Sequence, residues 1–117
     1  GVAQDEFLSN WESQARKGTL ELVVMAALAT KEFYGYELVE HLKVRCGMSL
    51  SDGTLYAILL RLKNEGFVRY RWEHAATGPG RKYYALTKPG IAALAGMHAS
   101  WAEITRAVDR ATEGGDA

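Results

Sequence analysis

The chain has 117 residues, 48% of them hydrophobic, and its 14 basic residues balance its 14 acidic ones. This length suits one domain with a modest core, and the apolar content excludes wholesale disorder. The longest apolar run, residues 22–29, is far shorter than the roughly 20 residues that cross a bilayer, so we expect no membrane span. A single cysteine, Cys46, excludes an internal disulfide and favours a cytoplasmic protein, and we expect it to be buried.

The charges are distributed unevenly along the chain. Between Lys43 and Lys88 there are nine Lys or Arg and three acids, which gives this segment a net charge of +6. The rest of the chain carries five cations and eleven acids. A basic segment between acidic ends indicates an anionic partner, although chance clustering on a solvated face explains the charge equally well.

The first part of the chain is predicted to be helical. Apolar residues at helical spacing predict an amphipathic helix over residues 5–16 and a nearly all-round apolar, buried helix over 19–30. Residues 31–35 are predicted to form a loop, and residues 36–46 a second helix of the core. The buried stripe of that helix is predicted to contain Leu38, Val39, Leu42 and Cys46.

A third core helix is predicted to start at a serine cap, Ser49 or Ser51, and to run to Glu65. Its core side is predicted to carry Leu55, Ile58, Leu59 and Leu62, and its outward side Thr54, Ala57, Arg61 and Asn64, with Tyr56 at the border. Thr, Arg and Asn side chains reach base edges or phosphates in DNA complexes, but they also simply solubilise an exposed helix.

A β-hairpin is predicted next. In "FVRYRWEH", residues 67–74, apolar and polar residues alternate; "AATGPG" is turn material, and "RKYYAL", residues 81–86, is the return strand. We expect Tyr84 and Leu86 to anchor the hairpin, and Arg81, Lys82 and Tyr83 to form an exposed edge. That edge either touches a polyanion or is an ordinary solvated end.

The last predicted element is a long helix that begins at a threonine cap, Thr87, and is followed by a frayed tail, "EGGDA", at residues 113–117. Apolar residues recur along it at steps of three and four, which predicts a dimer interface of about two and a half heptads. The predicted interface residues are Leu94, Met97, Trp101, Ile104, Val108 and Ala111.

Three helices, a hairpin and a long helix predict a mainly α protein with a small β-hairpin, the winged helix-turn-helix. In that fold the third helix enters the DNA major groove and the hairpin is the wing. We divide the chain into a DNA-binding domain, residues 1–87, and a dimerisation helix with its tail, residues 88–117, which together form one compact unit.

Four segments, "GTLELVVMAAL", "YGYELVEHL", "GTLYAILLRLKNEGFV" and "GRKYYALTKPG", resemble successive parts of the PadR family of bacterial transcriptional regulators. The resemblance runs from Gly18 to Ala111 and implies a homodimeric repressor that binds double-stranded DNA through a palindromic operator. It departs from the family at Ala57, where proline is common, and at Leu60, where a cation is common. The resemblance gives DNA-binding roles to Tyr36, Ser51, Thr54, Tyr56 and Arg61 in the helices and to Arg81, Lys82 and Tyr83 in the wing; Lys63 is a further candidate.

Drug-sensing relatives of the same size carry a tryptophan at the matching point of the last helix, where it stacks on flat aromatic drugs. The resemblance therefore makes Trp101 a candidate ligand-binding residue for a small aromatic effector, and Trp11 of the first helix a second one. Both tryptophans could instead fill the dimer interface.

We expect no enzyme, metal or cofactor. Glu37 and His41 have a chelating spacing on one helix but no third ligand near them, and no nucleophile motif or phosphate-binding loop is present. The alternative function is a winged-helix module that binds protein, which should lack a basic wing and an outward arginine on the third helix.

Overall fold

The computed structural model describes residues 1–114, which form five helices and three strands. In chain order these are α1 (Val2–Lys17), α2 (Leu20–Leu28), β1 (Phe33–Tyr34), α3 (Gly35–Cys46), α4 (Asp52–Asn64), β2 (Val68–Glu73), β3 (Arg81–Leu86) and α5 (Lys88–Glu113). Of the predicted tail, Glu113 ends α5 and Gly114 is its cap residue, while residues 115–117 lie outside the described part. No helix within residues 1–114 is long and apolar enough to cross a membrane.

The core lies between α2, α3, α4 and one face of the sheet, as the helical stripes predict. Its fully buried side chains are Val24 and Met25 of α2, Leu38 and Leu42 of α3, and Leu55, Leu59 and Leu62 of α4. The prediction that Cys46 is buried is wrong: its side chain is exposed. Cys46 is the last residue of α3, and Gly47 turns the chain away with a left-handed φ of 65°, so no core lies beneath that turn.

The sheet is antiparallel with the strand order β1-β3-β2. The predicted hairpin is confirmed as β2 and β3, but the predicted loop over residues 31–35 is wrong. Phe33 and Tyr34 form β1 and pair with Tyr84 and Tyr83 of β3, and α3 begins at Gly35. A two-residue strand is too short to show any period, so its pairing comes from tertiary contact.

Strand alternation gives the sheet two faces, which we call inner and outer. The inner face packs on the helices and carries Phe33, Val68, Tyr70, Trp72, Lys82, Tyr84 and Leu86; the outer face carries Tyr34, Arg69, Arg71, Glu73, Arg81, Tyr83 and Ala85. On the inner face burial falls along β2, from a buried Val68 to Trp72, which is 55% exposed. The half of the hairpin nearest its turn therefore extends beyond the core as a wing.

A network around Thr87 fixes the start of α5. The Thr87 hydroxyl accepts a hydrogen bond from the Gly90 N–H (3.1 Å) and donates one to the Gly66 carbonyl (2.6 Å). The Thr87 N–H donates to the Phe67 carbonyl (3.0 Å), and Gly90 lies so close to that carbonyl that a Cβ would overlap it. The first turn of α5 is thus held against the segment that joins α4 to β2.

Helices α1 and α5 each expose several apolar side chains. The first half of α5 packs on α2, and Leu94 and Met97 are partly buried against the core of their own chain. Beyond that point Trp101, Ile104 and Val108 are exposed. The whole of α1 lacks a buried residue, so its predicted apolar stripe, which includes Trp11, also faces outward in the single chain.

Candidate nucleic-acid interface

The N-terminus of α4 presents two hydroxyls to the surface. Ser51 caps the helix: its Oγ accepts a hydrogen bond from the Thr54 N–H (3.1 Å) and donates one to the Thr54 hydroxyl (2.9 Å). Both side chains are exposed. The unpaired N–H groups and the dipole of a helix N-terminus favour an approaching phosphate, so the local geometry fits the predicted role of this turn.

The outward side of α4 is largely as predicted. Thr54, Ala57, Arg61 and Asn64 are all exposed, and so is Leu60. Tyr56 lies at the border with 48% of its surface exposed, and its ring packs on the start of α3. A Cβ at Gly35 would overlap the Tyr56 hydroxyl, so a larger residue at this position would push the half-exposed Tyr56 ring aside.

Two arginines of the basic segment are paired with acids. The Arg61 guanidinium contacts the Glu21 carboxylate of α2 at 2.6 Å. On the outer face of the wing, Arg71 binds Glu32 through two hydrogen bonds of 3.0 Å and also contacts Glu73 at 3.2 Å. These bonds lower the pKa of Glu32 and raise that of Arg71. Acids from the flanking segments thus neutralise part of the basic segment.

Three other cations have aromatic partners instead. The Arg81 guanidinium lies 4.4 Å from the Tyr34 ring centroid, and the Lys82 ammonium lies 4.6 Å from that of Tyr70. The Lys63 ammonium of α4 lies 5.4 Å from the same Tyr70 ring. Within residues 1–114, Lys63, Arg81 and Lys82 form no ion pair shorter than 4.0 Å. An aromatic ring positions a cation without cancelling its charge, so these three remain available to a polyanion.

The predicted wing residues do not share one face. Lys82 lies on the inner face, whereas Arg81 and Tyr83 lie on the outer face because neighbouring strand residues point in opposite directions. The Tyr83 ring meets Tyr34 edge-on at 5.5 Å and lies 4.9 Å from the Arg71 guanidinium. Arg81, Lys82 and Tyr83 therefore do not share one face of the hairpin, although Arg81 and Lys82 both line the cleft beside α4. Tyr36, at the start of α3, is 67% exposed.

A cleft lies between the wing and α4. Tyr34, Gly35 and Tyr56 line one part of it, and Trp72, Gly80, Arg81, Lys82 and Tyr84 the rest, around a cavity of about 350 Å³. Sequence reasoning missed Trp72 and Tyr34 at this site. Trp72 continues the apolar alternation of Val68 and Tyr70, which hides its exposure; its nearness to the turn was the available signal.

The two candidate ligand-binding tryptophans lie outside α4 and the wing, with Trp101 on α5 and Trp11 on α1. Trp101 lines a groove between the start of α2 and α5, together with Thr19, Leu22, Met97 and Ile104. Trp11 lies on the exposed face of α1.

Glu37 and His41, the two residues with chelating spacing on α3, already contact other residues of the chain. Glu37 accepts hydrogen bonds from the Tyr34 N–H (3.2 Å) and the Lys31 ammonium (3.4 Å), and the His41 ring packs on Phe33 at 4.8 Å. In the described part of the chain, no three His, Cys, Asp or Glu side chains lie close enough to hold a metal ion.

Residues 24–96 match the model of the transcriptional regulator PadR-like family. The chain belongs to this family. A PadR family transcriptional regulator from Eggerthella lenta is 30% identical and superposes with a TM-score of 0.90 over 97% of this chain and 99% of that one. This similarity confirms the predicted winged helix-turn-helix with a long C-terminal helix.

Two further relatives extend the comparison. An uncharacterised protein of Lysinibacillus sphaericus is 30% identical over 100 residues, which cover 84% of this chain and 92% of the relative. The structure of Bacillus subtilis PadR in complex with operator DNA is 27% identical, with a TM-score of 0.63. It matches 68% of this chain but only 46% of that larger protein, so the likeness to this PadR member is confined to a shared part.

Proposed function

We propose that this PadR-like protein is a DNA-binding transcriptional regulator that uses α4 and the wing. The observation that carries the proposal is the set of three cations, Lys63, Arg81 and Lys82, which aromatic rings hold beside the exposed face of α4. The operator complex of the B. subtilis relative supports it. The function is one of binding, not catalysis, and it belongs in the cytoplasm.

The proposed contacts divide between the two elements. The N-terminal turn of α4 approaches the major groove with Ser51 and Thr54, while Arg61 must exchange Glu21 for a phosphate before it contributes. The wing cations neutralise backbone phosphates. The proposed DNA-binding residues are Tyr36, Ser51, Thr54, Tyr56, Arg61, Lys63, Arg81, Lys82 and Tyr83.

We also propose that the regulator is a homodimer. The exposed apolar residues of α1 and of the second half of α5 support contacts with a partner chain. Two-fold symmetry would present two copies of α4 to half-sites about one helical turn of DNA apart. A dimer bound to such a palindrome can act as a repressor by occupying the promoter.

An effector site at the same interface completes the proposal. Trp101 and the groove beside it are mainly apolar, which suits a flat aromatic molecule. Trp11, exposed on α1, is the second candidate. Such a ligand alters DNA binding only if it favours one spacing of the two α4 helices, because equal affinity for both spacings shifts nothing.

Selection of duplexes from a random-sequence pool by the purified protein tests the DNA-binding proposal directly. We expect the selected duplexes to share a palindrome, and the logarithm of their affinity to fall linearly with the logarithm of salt concentration. A scrambled duplex of the same composition is the control. If no duplex binds even at low salt, the alternative of a protein-binding winged-helix module replaces this proposal.

A further inference from the structure

We propose that the cleft between α4 and the wing holds the sugar–phosphate backbone of duplex DNA, with Trp72 as a DNA-binding residue. This inference rests on the proposed function and deepens it. It also commits the wing to docking through the side that faces α4, where Arg81 and Lys82 both line the cleft.

The Trp72 ring is exposed and yet held in place. Its cross-strand partner Lys82 lies over it, with the ammonium 5.3 Å from the ring centroid, and Tyr70 meets it edge-on at 6.5 Å. On its third side the ring abuts the turn, where a Cβ on Gly80 would lie 3.4 Å from a Trp72 ring carbon. A ring that is already ordered offers contact area at little cost in conformational entropy.

The lining of the cleft matches the chemistry of a DNA backbone. Tyr34, Tyr56 and Trp72 supply aromatic walls, and Arg81 and Lys82 supply positive charge beside them. No carboxylate lines the cleft in the part of the chain that the structure describes. Ring faces suit the apolar side of a deoxyribose, and the two cations suit the phosphates on either side of it.

The surface of the wing around Arg71 is less favourable for a phosphate. There Glu32 and Glu73 both contact Arg71, and Arg69 lies near Glu32, so these acids offset part of the positive charge. A phosphate approaching Arg71 would meet two carboxylates, whereas beside α4 it meets Lys82 and Lys63 over neutral rings. The distribution of acids therefore favours the side of the wing that lines the cleft over the surface around Arg71.

The test uses the intact protein and a duplex that the unmutated protein selects from a random pool. Trp72→Ala should weaken binding about three- to tenfold at all salt concentrations, and Trp72→Phe should weaken it less. Lys82→Ala should reduce the salt slope by about 0.9. Arg69→Ala removes an exposed cation from the outer face of the same hairpin and should leave both affinity and slope unchanged.

Tryptophan emission gives an independent readout. Addition of the duplex should change the emission of the unmutated protein, but not that of Trp72→Phe. Deoxyadenosine monophosphate at millimolar concentration should not reproduce the change. Equal thermal unfolding midpoints for Trp72→Phe and the unmutated protein would establish that the variant is folded.

Some outcomes overturn this inference alone. If the protein binds the duplex but Trp72→Phe and Trp72→Ala bind it equally well with unchanged emission responses, the DNA-binding function stands and the cleft assignment is wrong. Saturable binding of the free nucleotide in the cleft would also overturn it, in favour of a nucleotide site. If no duplex binds at all, the proposed function fails as well.

Discussion

Whether a cation of this protein is free to bind a phosphate depends on the side chain that it already contacts. Arg61 and Arg71 have the same charge as Arg81, but carboxylates hold the first two and a tyrosine ring holds the third. The sequence shows all of them as one basic segment, because Glu21 and Glu32 lie outside that segment and their pairing requires the fold.

The ion pair between Arg61 and Glu21 leads to a prediction about the affinity for DNA. Glu21→Gln should raise the affinity for a selected duplex about two- to fivefold at low salt, because Arg61 then loses a competing acid; exposed pairs contribute roughly 0.2–1 kcal/mol. Glu32→Gln removes the same charge from the outer face of the wing and is the matched control. Equal gains in both variants would mean that only net charge matters and that Arg61 has no special role.

The buried phenol of Tyr84 leads to a prediction about how stability depends on pH. Burial raises the pKa of this phenol, and the nearby Tyr56 and Tyr70 raise it further. The unfolded chain therefore releases the Tyr84 proton more readily than the folded protein, so this contribution to stability is present below about pH 10 and is lost as the pH rises through the folded pKa. Tyr84→Phe should flatten the fall of the urea midpoint above about pH 10. An unchanged fall would contradict it.

At the scale of the elements, the long periodic segments were predictable from sequence and the short or projecting ones were not. The apolar stripes of α3 and α4 indicate which side of each helix is buried, because leucines at helical spacing all lie on one side and that side must face the core. The two residues of β1 carry no such period, and their partner strand lies about 50 residues away. Trp72 follows a valid strand alternation, but the sequence does not tell where the core beneath the strand ends.

The contact between α3 and α4 yields an element-scale prediction. Gly35→Ala would push the half-exposed Tyr56 ring aside and should destabilise the protein by about 1 kcal/mol in urea unfolding. In a Tyr56→Phe background the same change should cost less, because the overlapping hydroxyl is gone. Gly53→Ala, in the first turn of α4 with open space around it, is the control and should stabilise the protein slightly, by about 0.4–1 kcal/mol. Equal costs at the two glycines would disprove the close contact.

The groove beside α5 gives a second prediction at the scale of the elements. If Trp101 binds the effector, Trp101→Ala should abolish quenching by planar cationic dyes while the dimer and its affinity for DNA survive. If the ring is interface core, truncation should cost roughly 3–5 kcal/mol and weaken the dimer instead. Trp11→Ala is the comparison. The same quenching in Trp101→Ala as in the unmutated protein would locate the dye elsewhere.

At the scale of the whole molecule, the described chain is elongated, measuring 62 × 36 × 23 Å. Trp101, Ile104 and Val108 of α5 are exposed beyond the stretch of the helix that packs on the core. The cations held by aromatic rings and these exposed apolar residues therefore lie on different elements of the molecule.

The apolar surface predicts an oligomeric state. The unmutated protein should sediment as a dimer at micromolar concentration, and Ile104→Glu should shift it to a monomer, because Ile104 is 53% exposed on the seam of α5. Ala99→Glu introduces the same charge on the opposite side of that helix and should leave the dimer intact. A monomeric unmutated protein would refute the interface.

The hydrogen bonds around Thr87 couple α5 to the DNA-binding elements. They tie the first turn of α5 to the segment that joins α4 to β2, and the following turns pack on α2, so these parts move together. The helix has 26 residues and is therefore about 39 Å long, so a rotation of about 10° about its far end would move its first turn by about 7 Å. In the proposed dimer, a small change in the angle at which the two α5 helices cross would therefore change the separation between the two copies of α4 by several ångströms.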